Sequence, residues 1–177
     1  KLWNDMTKFE ALCETYKNAR SEFKNYRDDC HHFAYDLWKG VIEYFQIPFS
    51  QLSYFKLNEE GEYESIPAPL FNTMFLRPDS YWECAFGINV YEGKDVCPQE
   101  TIILGMLFKK NKDNKFLVKL IEYEEEFEIV EGNQADYQKF YDYLFNQMSK
   151  SYTSGLQTFL DQDVTQRNIG FRLGQNK

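Results

Sequence analysis

The chain has 177 residues, which suits one domain, and a formal net charge of −8. This acidic balance, with no cluster of Lys or Arg, argues against nucleic acid or anionic lipid as the main partner, because both are bound by clustered basic side chains. The sequence has no run of about eighteen apolar residues, so no membrane span is predicted. It does not begin with a basic segment followed by an apolar one, so no secretory signal is predicted. Aromatic residues make up 18% of the chain, so a sizeable core can be built from few positions.

Cysteine usage indicates a reducing compartment. The four cysteines lie far apart in sequence and form no CxxC pair, at Cys13, Cys30, Cys84 and Cys97. Buried free thiols explain such a pattern well, since free cysteine behaves as a small apolar residue. We therefore expect a cytoplasmic protein without disulfides.

A long amphipathic helix is predicted over residues 4–47, before Pro48 ends it. Apolar residues recur there in steps of three and four as far as Leu37 and then after seven, which places them on one helix face: Phe9, Leu12, Tyr16, Ala19, Phe23, Tyr26, Cys30, Phe33, Leu37 and Tyr44. Unbroken, this helix would be about 60 Å long, more than a compact domain of this size spans. Its apolar face is also rich in aromatic residues, whereas the contacting positions of coiled coils prefer Leu, Ile and Val.

A break is therefore expected at Arg27-Asp28-Asp29, because Asp is a good N-cap for a second helix. Phe23 and Phe33 would then both be buried, one in each half. The alternative is a single protruding helix, with Phe23 facing solvent and serving a dimer or another partner.

Residues 51–130 form the predicted sheet region. Alternating residues predict a hairpin of strands 52–57 and 62–66, turning at 58–61, then a short strand within 70–76 and a turn at 77–80. In the clearest strand, 81–90, every second side chain should face the core: Trp82, Cys84, Phe86, Ile88 and Val90. Strand 100–110 is apolar on both faces, as central strands are, and 115–123 returns as its hairpin partner.

The apolar phase reverses between 116–120 and 122–130, so a bulge or a tight turn near Glu125 is expected. A second amphipathic helix follows over 134–162, with Asn133 as a plausible cap. The tail, 163–177, is polar, and 165–173 could add a short strand. Helix, strands, then helix predict an α+β fold: one domain with an antiparallel sheet of about five to seven strands and long N- and C-terminal helices on one face.

Two sets of residues match the sequence pattern of a catalytic or metal site. Pro78-Asp79 with Glu92-Gly93-Lys94 matches the PD-(D/E)xK nuclease pattern, in which carboxylates hold Mg²⁺ and Lys lies beside the scissile phosphate. One continuous strand separates the two halves, however, by roughly 40 Å. Asp28 and His32 have the i, i+4 spacing of two metal ligands, but two ligands make only half a site. No metal or other cofactor is therefore predicted.

Four glutamates alternate along the end of the sheet region, at Glu122, Glu124, Glu126 and Glu128. On an extended strand they would share one face, about 7 Å apart, which is too far for a compact ligand set. A charged edge that resists edge-to-edge pairing explains them, and the functional alternatives are a basic protein partner or mimicry of nucleic acid.

No motif identifies a family or a catalytic mechanism. The sequence favours a non-enzymatic, acidic interaction protein, of a regulatory, inhibitory, immunity-type or chaperone-like kind. It would bind a protein partner, or a second copy, through the long aromatic helix face or the glutamate row. The alternatives are the Mg²⁺-dependent nuclease and a small-ligand-binding domain with an aromatic-rich pocket between helices and sheet.

Overall fold

A computed structural model describes residues 6–67, 70–93, 99–153 and 171–174. Within these ranges, two α-helices and eight strands follow in chain order: α1 Lys8–Phe45, β1 Leu52–Leu57, β2 Tyr63–Ile66, β3 Phe75–Leu76, β4 Trp82–Tyr91, β5 Gln99–Lys110, β6 Phe116–Leu120, β7 Glu126–Ile129, α2 Gln134–Thr153 and β8 Phe171–Gly174. The predicted α+β class is confirmed.

The strands form one antiparallel sheet in the order β2-β1-β4-β5-β6-β7. Short β3 pairs with β4, and β8 pairs with β5. The centre of the sheet is the long β4–β5 ladder, which runs from Trp82 opposite Phe108 to Tyr91 opposite Gln99. Both strands bury side chains on both faces, as the doubly apolar sequence of β5 predicts.

The main core lies between one face of this sheet and the two helices, as predicted. Phe33 of α1 is fully buried, and its ring stacks on Phe116 of β6 with centroids 3.8 Å apart. Gly40 lets α2 approach α1 closely, because a Cβ at this position would clash with the hydroxyl group of Tyr141. The Tyr141 hydroxyl donates a hydrogen bond to the backbone carbonyl of Leu37.

The predicted break in the N-terminal helix is wrong, because α1 continues through Arg27-Asp28-Asp29. Neither aspartate caps a new helix: the Asp28 carboxylate pairs with Arg27 at 3.1 Å, and that of Asp29 accepts from Lys110 at 2.8 Å. The helix has its N-cap at Thr7, which forms a reciprocal capping box with Glu10. Phe33 is buried as predicted, but Phe23 is about half exposed, so its predicted burial is also wrong.

Smaller differences between the predicted and the observed elements occur next to turns. Residues 70–76 contain a short 3-10 helix, Leu70–Asn72, and only the two-residue β3. The predicted phase reversal is produced by a tight turn at Ile121-Glu122, where Glu122 has φ +69°. Of the predicted second helix, Gln134–Thr153 is confirmed, and Asn133 accepts from the Ala135 amide at 3.2 Å; residues 154–162 lie outside the described chain.

Candidate interaction surface on the α1 arm

The first half of α1 extends away from the core. Every residue from 8 to 25 is exposed, on all sides of the helix, and we call this segment the arm. At about 1.5 Å per residue, its eighteen residues span roughly 27 Å. The first fully buried residue of α1 is Cys30, so the sheet supports the helix only from about that point onward.

One side of the arm carries a row of large apolar side chains, which we call the stripe. Phe9 is 73% exposed, Leu12 65%, Tyr16 62% and Phe23 52%. At 100° per residue, the stripe points in the same direction as the buried face of α1 that begins at Cys30. A single apolar face therefore runs the length of the helix: the protein's own sheet covers its second half, and its first half faces solvent.

Local interactions explain only part of the arm's helical structure. Beyond the capping box, the arm has the surface ion pair Lys17–Glu14 and a contact between Arg20 and Tyr16. Such contacts contribute a few tenths of a kcal/mol each, whereas most helical stability in proteins comes from packing an apolar face. Four large exposed apolar side chains in a row are typical of a protein interaction site.

Charged residues flank the stripe unequally. One flank carries Lys8 near the helix start and Glu22 further along, followed by Asp29 beyond the arm. The other flank carries Cys13, then Arg20. The arm is therefore neither uniformly acidic nor uniformly basic, and its charge changes sign along its length.

The structure does not form the predicted glutamate row. Glu122 lies in the β6–β7 turn, and Glu124 precedes β7, so only Glu126 and Glu128 are on the strand. Glu126 accepts a hydrogen bond from the Tyr81 hydroxyl. Glu128 forms an ion pair with Lys115, which raises the pKa of that lysine. Both carboxylates are thus already engaged on β7, the last strand in the sheet order.

The structure does not bring together the residues of the candidate nuclease site or those of the candidate metal site. Asp79 lies before β4 and Glu92 beyond its other end, separated by roughly 30 Å of strand; Lys94 lies outside the described residues. His32 contacts the backbone carbonyl of Asp28 through Nδ1 at 2.9 Å, rather than its carboxylate. Within the described ranges, no group of three or more His, Cys, Asp or Glu side chains is placed to hold a metal.

A buried carboxylate, Glu83, lies on the opposite face of the sheet from the helices and was not predicted. It is 3% exposed, accepts from the Tyr63 hydroxyl at 2.9 Å and pairs with Arg77 at 2.9 Å. This pairing raises the pKa of Arg77. Both carboxylate oxygens of Glu83 are occupied, so the trio ties β2 and the turn before β4 to the sheet. Alternation along β4 places Glu83 on the face away from the helices, and there the Tyr63 hydroxyl of β2 and the Arg77 guanidinium contact its carboxylate.

An apolar groove lies where α1, α2 and the sheet end together. It has a volume of about 390 Å³, and its lining includes Phe45, Ile47, Val90, Phe145 and Met148. Small-ligand sites are commonly about 300–1,000 Å³ and mostly apolar. This groove therefore meets the size and lining expected for the ligand-binding alternative.

No known protein family, curated protein or solved structure matches this chain. Neither α1 nor α2 has a stretch long and apolar enough to cross a membrane, in a search that covered the described residues.

Proposed function

We propose that the protein is a non-enzymatic interaction module that binds a protein partner through the arm. The observation that carries the proposal is the stripe: Phe9, Leu12, Tyr16 and Phe23 expose at least half of their surface along one face of a regular helix. The expected partner presents an amphipathic helix, because a helix face of this spacing packs against a second helix by interlocking side chains. The core holds α1 from Cys30 onward and so positions the arm.

The reducing compartment is part of this proposal. Cys30 and Cys84 are buried free thiols, and Cys13 on the arm is a free, exposed thiol. An exposed free thiol is best tolerated where cellular reductants prevent its oxidation. We therefore place the module in the cytoplasm, with a regulatory, inhibitory, immunity-type or chaperone-like role.

The proposal is tested by comparing two triple variants as bait. The stripe variant carries Phe9→Ala, Tyr16→Ala and Phe23→Ala; alanine keeps the helix propensity high while removing the aromatic rings. The control carries three alanines on the opposite side of the arm and keeps the net charge: Glu14→Ala, Lys17→Ala and Asn25→Ala. Wild type and control should retain the same interacting protein from a lysate of the source cell, and the stripe variant should lose it. Equal retention by all three baits would refute the proposal.

The second candidate function is small-ligand binding in the apolar groove. It is favoured by the size of the groove and by the exposed ring of Phe145 at its wall. A ligand bound only by the folded state raises the melting temperature. A thermal-shift screen should then find ligands whose shift disappears in Met148→Glu, and a screen with no such hit counts against this function. The nuclease alternative gains no support, because Asp79 and Glu92 lie at opposite ends of β4.

A further inference from the structure

We infer that the partner seated on the stripe is a second copy of this chain, with the two arms packed antiparallel. This inference rests on the proposed function of the arm and names its occupant. Three properties of the arm carry it: the direction in which the stripe faces, the register of its side chains and flanking charges, and the apolar area it leaves exposed.

The direction of the stripe excludes a parallel pair. The stripe and the sheet-covered face of α1 lie on the same side of the helix. A parallel partner helix on the stripe would, beyond Cys30, run into the sheet that packs on that face. In an antiparallel pair, the N-terminal end of each arm lies beside the start of the other copy's sheet-covered face near Cys30, so the two helices overlap along their arms and not along those covered faces.

The side chains of two antiparallel arms match in size. When the arms are aligned over residues 9–26, Phe9 lies opposite Tyr26 of the other copy and Leu12 opposite Phe23. At the two-fold axis, Tyr16 lies opposite the small Ala19, which leaves room for its ring. The pattern uses every apolar position of the stripe, and the two-fold axis repeats each contact once, so that Phe9 packs on Tyr26 at both ends of the pair.

The flanking charges agree with the same alignment. Lys8 of each copy lies beside Asp29 of the other, giving two opposite-charge pairs. Asp29 already accepts from Lys110 through Oδ2, and a carboxylate can accept further donors through its remaining lone pairs. Glu22 lies beside the uncharged Thr15, and Arg20 beside Cys13, so this register brings no like charges together.

The exposed area is sufficient for a reversible dimer. A large aromatic side chain buries about 150–250 Å². With their exposed fractions, the four stripe residues expose about 500 Å² per copy, so their complete coverage would bury about 1,000 Å² for the pair. Specific interfaces begin near about 1,000 Å². The dimer should therefore form at moderate protein concentration and dissociate on dilution.

Sedimentation of the purified full chain between about 1 and 200 µM tests the association. Wild type and the control Asn25→Ala should convert from monomer to dimer over this range, and Phe23→Ala should shift the conversion to at least tenfold higher concentration. If wild type stays monomeric over this range, or if Phe23→Ala does not shift the conversion, the inference is overturned. If the monomer still retains another protein through the stripe, the proposed function survives; if the stripe retains nothing, both fail.

Disulfide trapping tests the direction and register. In a Cys13→Ser background, the double variant Thr15→Cys/Glu22→Cys should form a covalent dimer on mild oxidation, linked between positions 15 and 22. Each single variant should remain monomeric on a non-reducing gel. Two cysteines seven residues apart on one helix are too distant to bridge within a chain. A dimer in sedimentation that gives no 15–22 link overturns the antiparallel register.

Discussion

Two phenylalanines on the same face of α1 should respond in opposite ways to truncation. Phe33 is fully buried and stacks on Phe116 at 3.8 Å, whereas Phe23 lies on the arm and is 52% exposed. Phe33→Ala leaves a cavity in the main core, and such truncations cost about 3–5 kcal/mol. Phe23→Ala in the isolated subunit opens no cavity, and exposed sites usually change stability by about 0.5 kcal/mol or less.

Urea unfolding at two protein concentrations measures both effects. At a concentration where the protein is monomeric, Phe33→Ala should lower the free energy of unfolding by about 3–5 kcal/mol and Phe23→Ala by less than about 1 kcal/mol. At a concentration that favours the dimer, wild type should gain arm stability that Phe23→Ala lacks. A loss at Phe23 as large as that at Phe33 in the monomer would mean that the arm packs on its own core, and would refute the reasoning.

Further predictions concern the helix contact, the thiols and alkaline pH. Gly40→Ala should lower the free energy of unfolding by about 1–3 kcal/mol, although alanine has a better helix propensity than glycine. Adding Tyr141→Phe should recover part of that loss in a double-mutant cycle. If the effects of the two substitutions are simply additive, the assigned clash is contradicted. A thiol reagent at pH 8 should modify Cys13 rapidly and Cys30 or Cys84 only on unfolding, as mapped by peptide mass; fast native labelling of Cys30 would show that its burial is misassigned. Burial raises the pKa of Cys30 to about 11 and raises that of Tyr141. The unfolded chain therefore loses these protons first, so the free energy of unfolding should fall as pH rises from about 9 to 11. Tyr141→Phe should flatten this fall, and an unchanged slope would contradict the role of Tyr141.

Regular alternation and helical spacing were enough to predict the main elements. Along β4, Trp82, Cys84 and Phe86 alternate without a break, and the structure places all three in the core between sheet and helices. The hairpin turn at 58–61 was also predictable, because Asn58 and Gly61 are turn residues; the Asn58 side chain accepts from the Glu60 amide at 3.0 Å. Both signals are local, so they need no knowledge of the remaining fold.

The arm could be recognised as an apolar face but not as an exposed one. Phe23 and Phe33 lie on the same apolar face of the helix, and only the position at which the sheet begins to cover that face makes one exposed and the other buried, which is a tertiary property. The assumption that a domain of this size cannot contain a 38-residue helix favoured a break at Asp28. Asp28 instead pairs with Arg27, and its backbone remains helical.

The burial of Glu83 and the dispersal of the four glutamates follow from chain reversals. A tight turn at Ile121-Glu122 removes Glu122 from the strand, and the hairpin that forms β2 brings the Tyr63 hydroxyl to Glu83. Period-two alternation assigns faces correctly only while a strand stays flat and continuous. The turn at Ile121-Glu122 contains no Gly or Pro that would have indicated it.

Amide hydrogen exchange in the arm tests most directly whether the stripe is an interface between two copies. The arm amides of wild type should exchange rapidly in dilute solution and become protected as the concentration rises into the dimer range, while the amides of β4 and β5 stay protected throughout. Phe23→Ala should keep its arm unprotected over the same range, and Asn25→Ala should match wild type. Arm exchange that is independent of concentration in wild type would contradict the assignment of a second copy to the stripe.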